Sequence, residues 1–365
     1  MEKTSKIYVA GHTGLVGSAI TRNLKEKGYN NLLLRHQKEL DLTDQKAVDG
    51  FFSTEKPEYV ILAAALVGGI VANNTYRADF IYQNIMIQSN VINASWKYGI
   101  KKLLFLGSTC IYPKNAPQPL KEEYLLTSPL EFTNEPYAVA KITGLKMCEA
   151  FNIQYNTDFI AVMPTNLYGP GDNYNLEKSH VLPALLRKIH LARCLEERNL
   201  GDIKKDLDKN PIEGISGSSG EAEILKILAK YGIQKETDIS VKVWGTGTPL
   251  REFMYSEDMA EACVFLIENT SVKDIVKLHA DGKDPEYHPP HFLNIGTGEE
   301  VSIKELAERI IKLTGFKGKI EFDTSKPDGT MRKATDISIL NRLGYSHKYN
   351  LDAGLAMTYA KYLNA

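Results

Sequence analysis

The first 170 residues alternate short apolar runs with longer amphipathic segments, and this alternation constrains the fold more than any other feature. The runs are rich in Ile, Leu and Val without strict polar alternation, which is typical of parallel strands covered on both faces. Strands are predicted at Lys6–Ala10, Asn31–Leu34, Tyr59–Ala64, Lys102–Leu106 and Phe159–Met163. Helices are predicted at Leu15–Lys27, Asp44–Glu55, Tyr76–Tyr98 and Glu135–Tyr155. Such β-α-β units predict an α/β fold with a doubly wound parallel (Rossmann) sheet, whose ligands bind at the carboxyl ends of the strands.

The alternation loosens after residue 170, which predicts a smaller, discontinuous α/β lobe. Further elements are predicted as helices at Ser179–Leu195, Ser256–Asn269 and Ser302–Thr314 and a strand at His291–Ile295. Ser302 and Glu305 have the spacing of a capping box, which supports the last helix. We therefore expect a dinucleotide-binding domain at 1–170, completed by parts of 241–300, and a substrate-binding lobe at 171–365.

The segment 196–240, called the insertion below, differs in composition from the rest of the chain. It holds 17 charged side chains in 45 positions and a Ser/Gly-rich stretch at 216–220. Glu221–Gly232 has the pattern of a short amphipathic helix. The insertion could serve as a lid or an oligomer contact, but it carries no chemistry-bearing motif, so a solvated surface segment is the favoured interpretation.

Composition excludes several classes of partner. Lys plus Arg number 44 and Asp plus Glu 45, and this balance gives no bulk attraction to a nucleic-acid polymer or an anionic membrane. The longest apolar stretch, 60–72, is shorter than the about 20 residues of a membrane span, and the N-terminus leaves no room for a signal peptide. The cysteines form no C-x-x-C pair and lie at Cys110, Cys148, Cys194 and Cys263. We therefore expect a cytoplasmic protein with reduced thiols and without a metal.

A glycine-rich turn follows the first predicted strand and opens the first helix. Its residues are Gly11, His12, Thr13, Gly14, Leu15, Val16 and Gly17. Glycine lets the backbone turn tightly and approach a pyrophosphate, whose charge the N–H groups at the helix start can bind. Because the required strand and helix flank it, the turn predicts a dinucleotide site.

The end of the second strand indicates which dinucleotide binds. An acidic side chain there would bind the ribose of NAD, but this chain has Arg35, His36, Gln37 and Lys38. Arg35 and Lys38 suit the 2′-phosphate of NADP, so NADP is the predicted cofactor. Asp41 and Leu42 follow and are expected near the adenine.

Tyr137 and Lys141 are four residues apart and share a helix face. A nearby ammonium favours the phenolate, so we expect Lys141 to lower the pKa of Tyr137 and prepare it for proton exchange with a carbonyl oxygen. Three other Tyr/Lys pairs have this spacing, at 98/102, 174/178 and 231/235. Only Tyr137 lies in a helix between two sheet strands and downstream of a serine at a strand end, Ser108, whose hydroxyl could hydrogen-bond the substrate oxygen and Tyr137.

These features resemble the extended, nucleotide-sugar-modifying branch of the short-chain dehydrogenase/reductases. Seven longer segments are similar to the GDP-L-fucose synthase family: 63–75 (AAALVGGIVANNT), 108–114 (STCIYPK), 134–141 (NEPYAVAK), 163–169 (MPTNLYG), 179–186 (SHVLPALL), 244–253 (WGTGTPLREF) and 325–330 (SKPDGT). The resemblance covers nearly the whole chain except the insertion. It implies 3,5-epimerisation of GDP-4-keto-6-deoxy-D-mannose and reduction of its C4 ketone with NADPH.

The resemblance also implies roles for individual residues. Cys110 would be the base and His180 the acid of epimerisation, although a lone cysteine or histidine is more often structural. Substrate-binding residues would be Asn166, Lys188, Trp244, Arg251, Asp323 and Lys326. Further cofactor contacts would be Leu106, Gly107, Lys141, Pro164, Asn166, Leu167 and His180. The long helices predicted at 76–98 and 135–155 could pair across a dimer, as in related enzymes, or be covered within the monomer, and a homodimer is expected.

The chain departs from the family pattern at three places. Thr13 and Gln37 stand where the family often has arginines directed at the 2′-phosphate, and Lys188 replaces a substrate-binding arginine, although Arg187 precedes it. The third departure is the insertion. Two alternatives remain open: a nucleotide-sugar 4-epimerase or 4,6-dehydratase with tightly bound NAD, and a non-enzymatic dinucleotide sensor.

Overall fold

A computed structural model describes residues 1–235, 238–326 and 328–364, which fold into two units. The first unit comprises Met1–Gly169, Glu252–Glu299 and Ala334–Leu351, and the second comprises Pro170–Arg251, Glu300–Lys333 and the chain from Asp352 onward. Residues 334–351, expected in the substrate-binding lobe, belong to the first unit. This segment contains one short helix, whose Leu340 is buried in the first unit's core. It has no β-α alternation from which its place in the first unit could be predicted.

The described residues form helices and strands with the following bounds. The strands are β1 Ile7–Ala10, β2 Leu32–Leu33, β3 Tyr59–Leu62, β4 Lys102–Leu106, β5 Phe159–Pro164, β6 Asn166–Tyr168, β7 Ile233–Lys235, β8 Ile239–Trp244, β9 Leu250–Tyr255, β10 Phe292–Ile295, β11 Glu300–Ser302, β12 Lys319–Asp323 and β13 Arg332–Lys333. The α-helices are α1 Leu15–Glu26, α2 Gln45–Glu55, α3 Ile70–Thr75, α4 Arg77–Lys97, α5 Glu135–Tyr155, α6 Val181–Glu196, α7 Leu200–Lys209, α8 Glu221–Lys230, α9 Ser256–Asn269, α10 Val272–Ala280, α11 Ile303–Thr314, α12 Ser338–Arg342 and α13 Leu351–Asn364. Within this described part of the chain, no helix is both long and apolar enough to cross a membrane.

A six-stranded parallel sheet organises the first unit in the order β10-β5-β4-β3-β1-β2. Successive residues of its strands enter two different cores, as Ile7 and Val9 pack on one face while Tyr8 and Ala10 pack on the other. This explains why the strands lack polar alternation, since both faces are covered. The predicted doubly wound α/β fold is confirmed, although β2 is shorter than expected.

The carboxyl ends of the central strands carry the residues that the sequence analysis singled out. Gly11 follows β1, Gly107 and Ser108 follow β4, and Asn166 lies two residues beyond β5. Neighbouring parallel strands end at the same edge of a sheet, so these segments are brought close to one another within the first unit.

The second unit has its own three-stranded sheet, in which β8 lies between β12 and β7. The pairing of β8 with β12 is parallel and sets Trp244 opposite Asp323, and the pairing with β7 is antiparallel. The predicted capping box is present at α11, where Ser302 Oγ accepts from the Glu305 N–H.

The interpretation of the insertion as a solvated segment is wrong. Its α7 and α8 bury Ile203, Leu207, Ile224 and Leu228, and β7 extends the sheet of the second unit. The charges that suggested solvation lie on the outer faces of amphipathic helices, and a count of charges does not register how they are distributed around a helix.

A buried ion pair anchors the insertion. The Arg187 guanidinium is fully buried and donates from Nε (2.9 Å) and Nη2 (2.7 Å) to one carboxylate oxygen of Asp206 on α7. The Tyr362 hydroxyl donates to the other Asp206 oxygen. Arg187 also donates to the carbonyls of Tyr174 and Asn210, so its hydrogen-bonding capacity is directed into the protein.

Candidate active site

The glycine turn after β1 has the backbone that the sequence pattern predicts. Gly11 has φ of +82°, and a Cβ there would lie 2.7 Å from the Ala64 nitrogen. A Cβ at Gly17 would overlap the Gly11 carbonyl, so that position brings helix and strand backbones together. Gly14 is the N-cap of α1 and has no side-chain cap. The first N–H groups of α1 therefore stay available for an anionic ligand.

His12, inside the same turn, supports the presence of a ligand here. Its Nδ1 atom is buried without a hydrogen-bond partner among the described residues. Burial, followed by the nearby His36, lowers the pKa of His12 below 6.5, so the ring is neutral at physiological pH. Buried polar atoms in folded proteins usually have a hydrogen-bond partner, so we infer that a bound ligand supplies the partner of this nitrogen. The phosphates of a dinucleotide fit the turn.

The two cations after β2 differ in what they contact. Arg35 donates to Glu55 Oε1 at 2.7 Å and to the Leu34 carbonyl at 3.0 Å, so its guanidinium is engaged. Lys38 is exposed, and its ammonium forms no ion pair within the described part of the chain. Of the two residues expected at a 2′-phosphate, Lys38 is the one left free to bind it.

The remaining predicted cofactor residues of the first unit lie as follows. Asp41 Oδ1 accepts from the Thr43 N–H (2.9 Å) and hydroxyl (2.8 Å), whereas Leu42 is buried in the core. A Cβ at Gly107 would overlap the end of the Met163 side chain, which would have to move. The segment Pro164–Leu167 joins β5 to β6, and Asn166 donates its amide to the Glu252 carbonyl at 2.9 Å.

The Tyr137–Lys141 pair occupies the first turns of α5. Lys141 is buried, and its ammonium donates to the Leu106 carbonyl at 2.7 Å and lies 5.8 Å from the centre of the Tyr137 ring. The Tyr137 ring packs edge-on against Phe80. α5 thus holds both side chains beside the carboxyl end of β4.

The expectation that Lys141 lowers the pKa of Tyr137 is wrong for this structure. Burial, with a smaller contribution from Cys110, raises the pKa of Tyr137 above its usual value near 10. Burial also lowers the pKa of Lys141 to about 8, which leaves its ammonium partly deprotonated near neutral pH. Tyr137 is therefore a neutral phenol, the form that can donate a proton.

Ser108 and Cys110 lie in the turn that follows β4. Ser108 Oγ accepts from the Cys110 N–H at 3.3 Å and caps the short 3-10 helix Thr109–Ile111. Within the described residues, the hydroxyls of Ser108 and Tyr137 form no hydrogen bond with each other. Cys110 is 8% exposed and interacts electrostatically with both Tyr137 and Lys141. The structure therefore brings together Ser108, Cys110, Tyr137 and Lys141.

In the second unit, α6 carries two of the predicted residues. His180 is the N-cap of α6, and although the residue keeps solvent exposure, desolvation of its imidazole by neighbouring atoms is the larger cause that lowers its pKa below 6.5. The nearby Lys333 lowers this pKa further. Burial lowers the pKa of Lys188 to about 8, and no other described residue pairs with its ammonium. Because Arg187 is bound to Asp206, Lys188 is the cation of α6 that remains available for an anionic ligand.

The predicted nucleotide-binding residues cluster at the ends of β8 and β12. Trp244 is 63% exposed, and the Lys326 ammonium lies 5.7 Å from its ring centre. Asp323 Oδ1 accepts from the N–H and hydroxyl of Ser325. Pro327, in the same sequence segment, lies outside the described residues. A large exposed aromatic surface beside a cation suits a nucleotide base and its phosphates.

Arg251 lies near this cluster, and the structure adds two residues that the sequence analysis did not single out. Asp328 accepts from the N–H and hydroxyl of Thr246, which ties the segment after β8 to the segment after β12. Lys333 pairs in register with Arg251 and faces His180 electrostatically. β13 is only two residues long, so no periodicity marked Lys333 in the sequence.

Proteins that combine such a glycine turn with a Tyr–Lys pair beside the same parallel sheet form the short-chain dehydrogenase/reductase class, and this chain has both. The NAD dependent epimerase/dehydratase family model matches residues 7–208 and 217–278. A putative GDP-L-fucose synthase of Arabidopsis thaliana is 50% identical, covering 100% of this chain and 93% of the relative. The GDP-L-fucose synthase of Escherichia coli K12 is 46% identical, covering 98% and 96%.

A solved structure agrees in fold over its whole length. The GDP-D-glycero-L-gluco-heptose synthase of Campylobacter jejuni, solved in the presence of NADPH, is 44% identical with a TM-score of 0.89, and 99% of each chain is covered. The chain therefore belongs to the NAD-dependent epimerase/dehydratase family and, within it, to the GDP-L-fucose synthases. This confirms the resemblance inferred from the sequence motifs.

Proposed function

We propose that this protein converts GDP-4-keto-6-deoxy-D-mannose to GDP-L-fucose, as a 3,5-epimerase and an NADPH-dependent 4-reductase. The observation that carries the proposal is the juxtaposition of Tyr137, Lys141, Ser108 and Cys110 at the carboxyl end of β4. Full-length identity of 46–50% to GDP-L-fucose synthases supports it. The enzyme is thus an oxidoreductase and an epimerase rather than a dinucleotide sensor.

Reduction requires a proton at O4 of the sugar as hydride reaches C4. NADPH supplies the hydride when it is bound. Tyr137, kept protonated by its raised pKa, donates the proton to O4, and Ser108 donates a hydrogen bond to the same oxygen. Lys141, anchored by the Leu106 carbonyl, binds the ribose of the cofactor and stabilises the phenolate left on Tyr137.

Epimerisation precedes reduction, because the C4 ketone acidifies the hydrogens at C3 and C5. Cys110 as thiolate removes each proton, and Tyr137 and Ser108 stabilise the negative charge that develops on O4. Lys141 interacts electrostatically with Cys110 and is the basic side chain beside this thiol. His180 returns a proton to the opposite face, and as the residue's pKa lies below 6.5, the ring must take up a proton before it acts.

Two clusters of residues bind the two nucleotides. The glycine turn 11–17 binds NADPH. Lys38 binds the 2′-phosphate, because Thr13 and Gln37 stand where the family often has arginines for this group. For the GDP moiety the binding residues are Trp244 against the base, Asp323 beside it, and cations at the diphosphate, namely Lys188, Arg251 and Lys326. A planar guanidinium and unpaired ammonium groups both suit a diphosphate.

A GDP-linked 4-keto-heptose is a second candidate substrate. The observation that favours it is the 44% identity to a GDP-heptose synthase over 99% of both chains, close to the values for GDP-L-fucose synthases. Both candidates share the GDP group, the ketone at C4 and the use of NADPH. They differ in the sugar carbons beyond C5.

One experiment tests these alternatives together. The protein is incubated with GDP-4-keto-6-deoxy-D-mannose and either NADPH or NADH, in deuterated water, with a GDP-4-keto-heptose as the competing substrate. We expect oxidation of NADPH in preference to NADH and two deuterium atoms in GDP-L-fucose. Turnover of the heptose alone would establish the second candidate, and no oxidation with either sugar would refute both.

We also propose that the enzyme is a cytoplasmic homodimer. Aromatic and aliphatic side chains are exposed on α4 and α5, among them Tyr82, Trp96, Ile153 and Tyr155. An apolar surface of this kind on two long adjacent helices suits pairing with a second copy. Light scattering after gel filtration would give a mass of about twice 40.8 kDa, and a monomer at micromolar concentration would refute the dimer.

A further inference from the structure

Glu252 is a fully buried carboxylate that the proposed chemistry does not use. Its Oε1 accepts from the N–H groups of Thr297 (2.5 Å) and Gly298 (2.9 Å). Its Oε2 accepts from the N–H (2.8 Å) and the hydroxyl (2.7 Å) of Thr335. These four donors satisfy both oxygens of the buried carboxylate through dipoles.

The main chain of Glu252 is equally engaged. Its carbonyl accepts from the Asn166 amide at 2.9 Å and from the Thr165 hydroxyl at 3.3 Å. Gly296 passes so close that a Cβ there would overlap the Glu252 carboxylate. One residue thus holds the segments 165–166, 296–298 and 335 at a fixed separation.

Glu252, Gly298 and Thr335 each lie at or close to a point where the chain enters or leaves the first unit. Glu252 is the residue at which the chain re-enters the first unit, immediately after Arg251. Gly298 lies two residues before the chain leaves that unit at residue 300, and Thr335 follows its return at residue 334. The four hydrogen bonds therefore fix the chain where it enters or leaves the first unit.

We propose that Glu252 is the positioning residue that sets Arg251 and Asn166 for binding of the GDP-sugar. This inference rests on the proposed function, in which Arg251 binds the diphosphate and Asn166 contacts the ligands. Glu252 is not catalytic, because a side chain without solvent exposure cannot touch substrate. Its carboxylate fixes β9 at the residue that follows Arg251, and its carbonyl fixes the Asn166 side chain.

The test compares Glu252→Gln with Asp258→Asn, a matched control in the same unit. Asp258 is also fully buried and accepts two backbone N–H groups, from Lys348 and Tyr349, but it borders no proposed ligand residue. In Glu252→Gln, an NH2 group replaces one of the two carboxylate oxygens. This NH2 donor must face another donor, either the Thr335 N–H or the N–H groups of residues 297 and 298. Because two donors cannot hydrogen-bond each other, we expect the segment on that side to move away. Misplacement of binding groups by about 1 Å can cost up to about 100-fold.

For Glu252→Gln we expect the Kd for GDP, measured by calorimetry, and the KM for the GDP-sugar to rise about tenfold or more. For Asp258→Asn both should stay within about twofold, even where the two variants lose similar thermal stability. Glu252→Asp, which retains a carboxyl group with two acceptor oxygens, should recover part of the affinity. Equal GDP affinity in Glu252→Gln and the wild type, or equal losses in the two variants, would overturn the inference.

A milder pair keeps the inference testable if Glu252→Gln does not fold. Thr335→Val removes one donor to the carboxylate, and Thr358→Val is its control, since Thr358 is as buried and its hydroxyl donates to the Gly354 carbonyl within α13. GDP affinity should fall in the first variant alone, and an unchanged Kd in both would overturn the inference. If the wild-type protein neither binds GDP nor turns over the sugar, the proposed function fails instead.

Discussion

Replacing Asp206 with alanine tests whether the insertion is anchored by its buried ion pair with Arg187. The side chains of Arg187 and Asp206 are 0% and 5% exposed, so neither charge can turn to water. The variant would leave the guanidinium with two carbonyl acceptors and no counter-charge. Removing one partner of a buried pair costs about 3–5 kcal/mol, a large part of the about 5–15 kcal/mol that stabilises a typical domain.

The assay is urea unfolding followed by circular dichroism. With a slope of about 2 kcal/mol per M, a loss of about 4 kcal/mol lowers the midpoint by about 2 M. Glu197→Ala is the control, because it breaks the exposed pair with Arg193 in the same region and should cost under about 1 kcal/mol. The double variant Arg187→Met/Asp206→Leu removes both charges and should recover most of the loss.

Three outcomes bear on this reasoning. A loss below about 1 kcal/mol for Asp206→Ala would show that the pair does not anchor the insertion. A loss equal to that of Glu197→Ala would show the same. If the double variant is no more stable than Asp206→Ala, the cost comes from poorer packing rather than from an unpaired buried charge.

The remaining predictions concern the proposed chemistry and one buried acid. Tyr137→Phe should abolish NADPH oxidation while deuterium exchange at C3 and C5 continues, whereas Cys110→Ala should stop that exchange and still reduce an epimerised ketone. Lys188→Met should raise the Kd for GDP about tenfold, because a charge-assisted hydrogen bond to phosphate in a desolvated site contributes about 1.4 kcal/mol or more. Burial raises the pKa of Glu122 from 4.5 to about 7 although its carboxylate accepts from the Asn294 N–H. The stability this proton provides is complete below pH 4.5 and is lost as pH rises through about 7, so Glu122→Gln should gain up to about 3 kcal/mol over wild type between pH 4.5 and pH 8.

The tyrosine, cysteine and lysine variants each have a control, and contradicting results follow for Tyr137→Phe, Cys110→Ala and Glu122→Gln. Tyr82→Phe, Cys148→Ala and Lys304→Met make the same chemical changes away from the proposed site and should leave turnover unchanged. Loss of deuterium exchange in Tyr137→Phe with GDP binding intact would contradict the assignment of reduction to Tyr137 and of epimerisation to Cys110. Normal exchange in Cys110→Ala would show that the thiol is not the base of epimerisation. For Glu122→Gln, a pH dependence of unfolding parallel to that of the wild type would contradict the assigned titration.

The first unit could be predicted because its constraints are local in sequence. Gly11 and Gly17 are required by backbone approach within one turn, and the Tyr137–Lys141 spacing is a helix repeat, so each is visible in a short window. The alternation of strands and helices then predicts which segments follow the carboxyl ends of the strands and therefore lie at one edge of the sheet. A local pattern cannot predict contacts between residues that are distant along the chain.

The parts that sequence reasoning missed depend on long-range partners. The Glu252 carboxylate acquires its hydrogen bonds from residues 45 to 83 positions away, and no motif links them. Arg187 and Lys188 are adjacent cations on one helix, and only the position of α7 decides that the first is buried against Asp206. The pKa of Tyr137 was mispredicted because burial, the larger effect, outweighs the nearby charge, and helix spacing does not reveal how deeply a ring is buried.

The acceptor that holds Lys141 is a main-chain carbonyl, that of Leu106. Every amino acid carries this group, so no substitution at position 106 can delete the anchor of the ammonium. Strand β4 can therefore drift in sequence, as long as it stays a strand, and still keep that hydrogen bond. The same freedom does not extend to Asp206 or Glu252, whose bonds come from side chains, so we expect variation among natural homologues to be tolerated at 106 and strongly restricted at 206 and 252.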